Sequence, residues 1–262
     1  MTESGICNLS IVPIRAEASD KSEMLSQLLF GDCFEVLEKT EKWVRIRTYY
    51  EKYEGWIDHK QYAMVEETDL YQYQKALTLN LAVSHPVTKV SSGEVIHLVA
   101  GSSIPSTFRD KTFSINQETY AFTDEPVFCT NTDFSSMVES LARFYLQAPY
   151  LWGGRTLFGI DCSGFSQIVY KMLGLQLDRD AWQQAEQGSV VNFLQEVKPG
   201  DLAFFDNEAG RIVHVGIMLN ENNIIHASGR VKIDPIDDQG IYSLDLKKHT
   251  HKLRIIKRYT GN

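Results

Sequence analysis

Residues 161–165 read Asp161-Cys162-Ser163-Gly164-Phe165, and they decide how the second half of the chain is read. A Gly-rich aromatic loop, Tyr150-Leu151-Trp152-Gly153-Gly154-Arg155, leads into them. An apolar run at helical spacing follows: Phe165, Ile168, Val169, Met172 and Leu173. The pattern places a thiol in the first turn of a helix, directly after a loop. Unpaired N–H groups and the positive end of the helix dipole favour an anion there. A cysteine so placed can have its pKa lowered from about 8.5 into the range of roughly 3.5–7.5, which makes it a nucleophilic thiolate. The ordinary state of a free cysteine is a small buried apolar residue. A charged Asp161 before it and Ser163-Gly164 after it are a poor setting for an apolar plug.

A thiol nucleophile needs a base, and the base needs a group to orient it. The histidines are His59, His85, His97, His214, His226, His249 and His251. His214 lies in the strand-like run Ile212-Val213-His214-Val215-Gly216-Ile217-Met218-Leu219, and His226 in Ile224-Ile225-His226-Ala227-Ser228. Asn220-Glu221-Asn222-Asn223 between them is a turn signal. The two runs therefore predict a hairpin that sets His214 and His226 side by side on one face. One imidazole accepts the Cys162 proton and the other holds it through its second ring nitrogen. A zinc site of Cys162, His214 and His226 is the other functional reading, although the spacing matches no compact ligand pattern. His59, His85, His97, His249 and His251 are read as structural or solvent-exposed, the last two in a polar loop. Arg179 and Asp180 are read as framing the start of a helix at Ala181-Trp182-Gln183-Gln184-Ala185.

With 262 residues, 43% hydrophobic and 23% charged, the composition is that of an ordinary globular protein. A net charge of −8 disfavours nucleic acid and anionic membrane as partners. No apolar run reaches the length of a membrane span. Met1-Thr2-Glu3-Ser4-Gly5 lacks the basic and apolar regions of a signal peptide, so the expected location is cytoplasmic. Cys7, Cys33 and Cys129 show no paired spacing, which argues against a disulfide framework. Cys33 and Cys129 read as buried thiols.

Residues 1–66 read as short strands at Cys7 to Ile14, Gln27 to Phe30, Cys33 to Glu38, Trp43 to Thr48 and Gly55 to Asp58. Turn signals at about ten-residue intervals suggest a small β-barrel. Residues 67–130 are strand-rich again, at Lys75 to Val83, Val95 to Val99, Lys111 to Ile115 and Thr119 to Phe122. Residues 131–262 open on a helix capped near Asn131-Thr132-Asp133, striped by Phe134, Met137, Val138, Leu141, Phe144 and Tyr145, and ended by Pro149. Strands Leu202–Phe205, Ile212–Leu219, Ile224–Ala227 and Leu253–Lys257 come last. This segment reads as α+β, helices packed on an antiparallel sheet.

Taken together, Tyr150-Leu151-Trp152-Gly153-Gly154, Asp161 to Phe165, Pro199-Gly200-Asp201-Leu202, His214-Val215-Gly216-Ile217 and Ile225-His226-Ala227-Ser228 resemble the NlpC-type family of cell-wall cysteine peptidases. Gly55-Trp56-Ile57 is similar to a bacterial SH3-like domain, with residues 67–130 as a second, divergent one. The resemblance implies a papain-like core with Cys162 as nucleophile, His214 as base and His226 as orienting residue. It implies Tyr150 near the oxyanion, and Trp152, Asp161 and Ser163 around the substrate pocket. The implied reaction is hydrolysis of the γ-D-glutamyl–diamino acid amide of peptidoglycan stem peptides, with no cofactor. Two SH3-like domains before the catalytic one resemble the subgroup that takes released muropeptides with a free N-terminal L-Ala. There the first SH3-like domain supplies a tyrosine and an acid to the substrate amine. Tyr53 and Glu23 are the candidates, with Glu17 a rival to Glu23. A lytic endopeptidase on intact wall and a non-catalytic peptidoglycan-binding protein are the alternatives.

Overall fold

A computed structural model describes residues 3–79, 82–128 and 134–260. It divides into two compact units, residues 1–130 and 131–262. In the first unit, β1 (Ser4–Ile6), β2 (Ile11–Arg15), β3 (Met24–Leu29), β4 (Cys33–Lys39), β5 (Trp43–Thr48), β6 (Glu54–Asp58) and β7 (Ala63–Val65) form one sheet in the order β3-β2-β6-β5-β4-β1-β7. Of the strand expected from Cys7 to Ile14 only the second half forms, as β2; Cys7 to Ser10 connect it to β1, which lies earlier than expected. Strand β5 shows why the sheet forms. Val44 and Ile46 point into the core, while Arg45 and Arg47 point out and pair with Glu54 at 2.7 and 2.6 Å. That alternation is the signature of a strand wet on one face. Cys7, Val12, Ile14, Leu28, Phe34, Val44, Ile46 and Ile57 fill the interior.

Residues 67–130 are strand-rich as expected, with a helix that was not. They open on α1 (Glu67–Gln74), followed by the two-residue β8 (Leu77–Thr78); residues 80 and 81 of the strand expected from Lys75 to Val83 lie outside the described residues. After these come β9 (His85–Lys89), β10 (Val95–Leu98), β11 (Ser103–Ile104), β12 (Thr112–Ile115) and β13 (Glu118–Phe122). Four strands pair in the order β10-β9-β13-β12, and β11 pairs with β8. Strand β9 carries a proline at its second residue, which hid it in the sequence. Ile6, Phe30, Cys33 and Val65 join Tyr73, Leu79, Val87, Phe113 and Tyr120 in one apolar cluster, so the two β-rich segments share a core.

The second unit begins with α2 (Phe134–Phe144). Its expected cap at Asn131-Thr132-Asp133 lies outside the described residues, as does Cys129. The helix stops five residues before Pro149, and Gln147 turns the chain with a φ of 70°. A short hairpin, β14 (Arg155–Thr156) and β15 (Gly159–Ile160), precedes α3 (Cys162–Met172) and α4 (Ala181–Glu186). Then come β16 (Ser189–Val191), β17 (Leu202–Asp206), β18 (Ile212–Asn220), β19 (Asn223–Ser228), β20 (Arg230–Asp237), β21 (Gly240–Ser243) and β22 (Lys248–Arg258). The strand order is β16-β22-β17-β18-β19-β20-β21, and β21 also pairs with β22. That last pairing closes six strands of the expected antiparallel sheet into a barrel. Ala203, Phe205, Met218, Ile224, Ile236, Ile241 and Ile256 cluster together in its core. Leu202 and Phe204, on the other face of β17, are equally buried. A strand covered on both faces reads as an unbroken apolar run. Helix α3 is buried along its whole length and lies against β18 and β19.

The Pro199-Gly200-Asp201 turn fastens this barrel. Asp201 is buried, accepts from Lys198 N at 2.8 Å, and takes a two-pronged bond from Arg258 at 2.8 and 2.6 Å. It thereby locks the start of β17 to the end of β22. Removing one partner of such a pair leaves a buried charge uncompensated, at a cost of about 3–5 kcal/mol. Asp201→Ala is expected to lower unfolding stability in urea by at least about 2 kcal/mol, since Arg258 is partly wet and its loss is softened.

Candidate active site

Helix α3 begins where the sequence placed it, and Asp161 is its N-cap. The Asp161 carboxylate accepts from Gly164 N at 2.7 Å and from Gly153 N at 2.8 Å. Ser163 Oγ stands 3.4 Å away. Arg179 forks onto both carboxylate oxygens at 3.1 and 2.6 Å, and also donates to Ser163 Oγ at 2.9 Å. Asp161, Ser163 and Arg179 are all buried. Asp161 and Ser163 are thus bound into the framework that holds the helix start. Arg179 does more than frame α4; Asp180 alone remains at that helix's start, its N–H donating to Gln183 Oε1 at 3.0 Å. Gly164 is required at its position, because a Cβ there would stand 2.3 Å from the Gly154 carbonyl oxygen.

Cys162 is 7% exposed, at the opening of this helix. Its thiol is pushed up to about 12, first by burial and then by the neighbouring Asp161 carboxylate. The Val215 and Ser163 backbone and the Arg179 charge pull the other way without winning. Burial thus works against the lowered pKa expected of a helix-start cysteine, a desolvation effect that the expectation left out.

Val215, whose backbone faces the sulfur, follows His214 on β18. His214 Nε2 and His226 Nδ1 are 2.9 Å apart, so the hairpin of β18 and β19 does set the two rings together. They are diagonal neighbours, because Gly216 is the residue directly opposite His226. A Cβ at Gly216 would come within 2.9 Å of His226 Cβ. With Nε2 engaged, His214 has Nδ1 for another partner. Both imidazoles are buried, and burial holds His214 well below the usual imidazole range and lowers His226 as well.

Two residues that sequence reasoning passed over complete this cluster. Asp234, on β20, accepts from His226 Nε2 at 3.1 Å. His251 lies on β22 and not in a loop; its ring stacks on His214 with centroids 4.2 Å apart. Burial pushes His251 down to about 4, helped by the adjacent His226. Phe205 packs against both His214 and His251. The alternation of Lys232 and Asp234 in β20 is visible in the sequence, but no local signal says which residue will reach His226. Among the described residues, no group of three or more His, Cys, Asp or Glu side chains is placed to hold a metal ion.

Tyr150 is half-buried in the loop before the helix, its N–H bonded to Gly229 O at 3.0 Å. Burial raises its hydroxyl pKa, and the Cys162 and Asp161 groups beside it add to the rise, so it stays a proton donor. Trp152 is 60% exposed in the same loop. In the first unit, Tyr53 is half-buried, with its N–H on Thr48 Oγ1 at 3.0 Å, while Glu17 and Glu23 are exposed near the β2–β3 connection. Among the described residues no helix is long and apolar enough to cross a membrane.

Comparison with known proteins places the geometry in context. Residues 147–250 match the NlpC/P60 family, and residues 14–61 match the bacterial dipeptidyl-peptidase SH3 domain. A γ-D-glutamyl-L-lysine dipeptidyl-peptidase of Bacillus cereus is 24% identical over 247 residues, covering 85% of this chain and 73% of that protein. Dipeptidyl-peptidase 6 of Lysinibacillus sphaericus is 26% identical over 257 residues, covering 88% and 91%. The crystal structure of an NlpC/P60 family protein from Bacillus cereus superimposes with a TM-score of 0.81 at 18% identity, over 98% of this chain and 99% of that one. That likeness is one of fold: mixed α/β with a β-barrel.

The buried histidines make stability depend on pH. Their folded pKa values lie below the ordinary 6.5. Below about 6.5 the unfolded chain therefore binds protons that the folded one refuses, and stability present at higher pH is lost as pH falls. Each of His214 and His226 contributes a slope of up to about 1.4 kcal/mol per pH unit. Urea unfolding at pH 7.5 and 5.5 is expected to show a clearly lower midpoint at the lower pH. A flat or rising midpoint would mean that these rings charge in the folded state.

Proposed function

Because the chain carries an NlpC/P60-family domain at residues 147–250 and a bacterial dipeptidyl-peptidase SH3 domain at residues 14–61, we propose that it is a cysteine peptidase of papain-like catalytic fold. Its proposed substrates are peptidoglycan stem peptides, cut at the amide between γ-D-glutamate and an L-diamino acid, lysine or diaminopimelate. Two relatives that span most of the chain are dipeptidyl-peptidases, one of them named for the γ-D-glutamyl-L-lysine bond. A dipeptidyl-peptidase works from a free N-terminus, which favours released muropeptides with a free L-Ala, and hence wall-peptide recycling, over intact wall.

The observation that supports the chemistry most is the His214–His226 bond beside the buried start of α3. In the proposed mechanism, the resting pair is a neutral Cys162 thiol and a neutral His214 imidazole, because burial disfavours charge on both. The thiol proton passes to His214 Nδ1 as sulfur attacks the amide carbonyl carbon. The oxyanion that forms is met by an N–H of the helix start and by the Tyr150 hydroxyl. One such donor is worth about 3–4 kcal/mol of barrier. His214 then gives its proton to the leaving amine as the C–N bond breaks, and a thioester remains. Water loses a proton to His214 and attacks the thioester. Sulfur leaves and regains the proton, and L-Ala-γ-D-Glu is released.

The test is mass spectrometry of L-Ala-γ-D-Glu-L-lysine and L-Ala-γ-D-Glu-diaminopimelate incubated with wild type and with Cys162→Ala. Wild type is expected to release L-Ala-γ-D-Glu, and the variant to release none. Turnover that survives the substitution removes Cys162 as nucleophile. Equal cleavage of N-acetylated peptides or of whole sacculi removes the preference for a free N-terminus.

A further inference from the structure

His214, His226 and Asp234 lie on one diagonal line across three adjacent strands. Gly216 stands opposite His226 on one side, and Lys232 opposite it on the other. His214 is two residues before Gly216, and Asp234 two residues after Lys232. Because β18 and β20 run in the same direction, each being antiparallel to β19, those offsets carry the line straight across. The line continues the barrel core: Met218, Ile224 and Ile236 share strand faces with His214, His226 and Asp234, and all three belong to the apolar cluster.

The order of protons along this line follows from one end. Asp234 is buried, and its carboxyl is held down to about 2; the bonds from His226, the Leu244 N–H and Lys232 together overcome the opposing effect of burial. An ionised carboxylate only accepts. His226 Nε2, at 3.1 Å from Asp234 Oδ2, must therefore carry its proton. Burial keeps His226 short of a second proton, so its Nδ1 is a bare acceptor. The atom facing that acceptor is His214 Nε2, at 2.9 Å, which must in turn carry the His214 proton. His214 Nδ1 is then left with its lone pair, the form a base needs to receive a thiol proton.

From this geometry we infer that Asp234 is a positioning residue that sets the tautomer of His226 and, through it, of His214. The inference rests on the peptidase reading for its catalytic meaning, although the tautomers themselves do not. Asp234 is itself fixed. Leu244 N donates to Oδ1 at 3.1 Å, and Lys232 Nζ sits 3.2 Å from Oδ2. Lys232 is held by Asp245 at 3.0 Å, and Asp245 by two bonds from Arg230 at 3.1 Å each. Reversing the two protons would leave His214 Nδ1 protonated and useless as a base, with every heavy atom in place.

The experiment is nitrogen NMR of 15N-histidine-labelled wild type, Asp234→Ala and Asp234→Asn at pH 7.5, together with kinetics. Wild type is expected to show His214 and His226 each protonated at Nε2. Asp234→Ala is expected to show mixed tautomers at both rings. Its kcat on the stem peptide should fall about 100-fold or more while KM changes little, the mark of a lost base rather than lost binding. Asp234→Asn keeps one oxygen able to accept from His226 Nε2 and is expected to recover part of that rate. Where Asp234→Ala does not fold, Asp234→Asn carries the tautomer test alone. Unchanged tautomers in the folded variants, or a rate loss that only tracks the folded fraction, would overturn the inference. If wild type cleaves no stem peptide, the functional reading fails, and the tautomers and the rate of Cys162 alkylation by iodoacetamide still decide the role of Asp234.

Discussion

The second unit depends on one buried carboxylate. Asp161 gathers Gly153 N, Gly164 N, Ser163 Oγ and both ends of the Arg179 fork. These donors come from three separate stretches: the loop before the helix, the helix start and the segment before α4. A charge taken out of water is costly unless its partner is close and its remaining lone pairs are filled. Here the fork supplies the partner and the backbone supplies the rest. The three stretches must therefore meet at this point or leave an ion stranded. Tyr150, Cys162 and the helix start inherit their positions from that requirement.

The barrel supplies the other half of the site by a different device. Its apolar core does not stop at the last isoleucine. It grades into His214, His226 and His251, aromatic rings that pack as core residues and still carry nitrogen. Phe205 touches the first and last of these rings. The same burial that fixes the rings strips them of charge, and it raises the Cys162 thiol as well. Burial thus favours the neutral forms of the Cys162 thiol and the His214 imidazole, while Asp161 and Asp234 keep their charge on partners of their own.

Much of this was legible along the chain, and the exceptions have physical causes. Cys162 at a helix start and the His214–His226 hairpin were readable because each depends on neighbours close in sequence: a cap, a turn, a period of two. The segment after residue 66 hid α1, which no strand or helix reading covers, and β9, because a proline argues against a strand that nonetheless forms. Asp234 and His251 were invisible for another reason. Their roles depend on register between strands, and register is a property of the closed barrel. Arg179 was likewise unreadable, since its partner is 18 residues away through a loop. The thiol's pKa was misjudged because a helix dipole can be read from sequence and desolvation cannot.

The closing strand has a consequence for how the molecule comes into being. Strand β22 pairs with β16, β17 and β21, and it brings His251 against His214. Chains emerge from the ribosome N-terminal end first. The ring of strands cannot shut until residues 248–258 have been made, although Cys162 was made long before. Pairings between such distant segments are also slow to form. The nascent polypeptide thus carries Cys162 through synthesis before His251 can be brought against His214. Closure of the barrel is therefore the last event in assembling the cluster around His214.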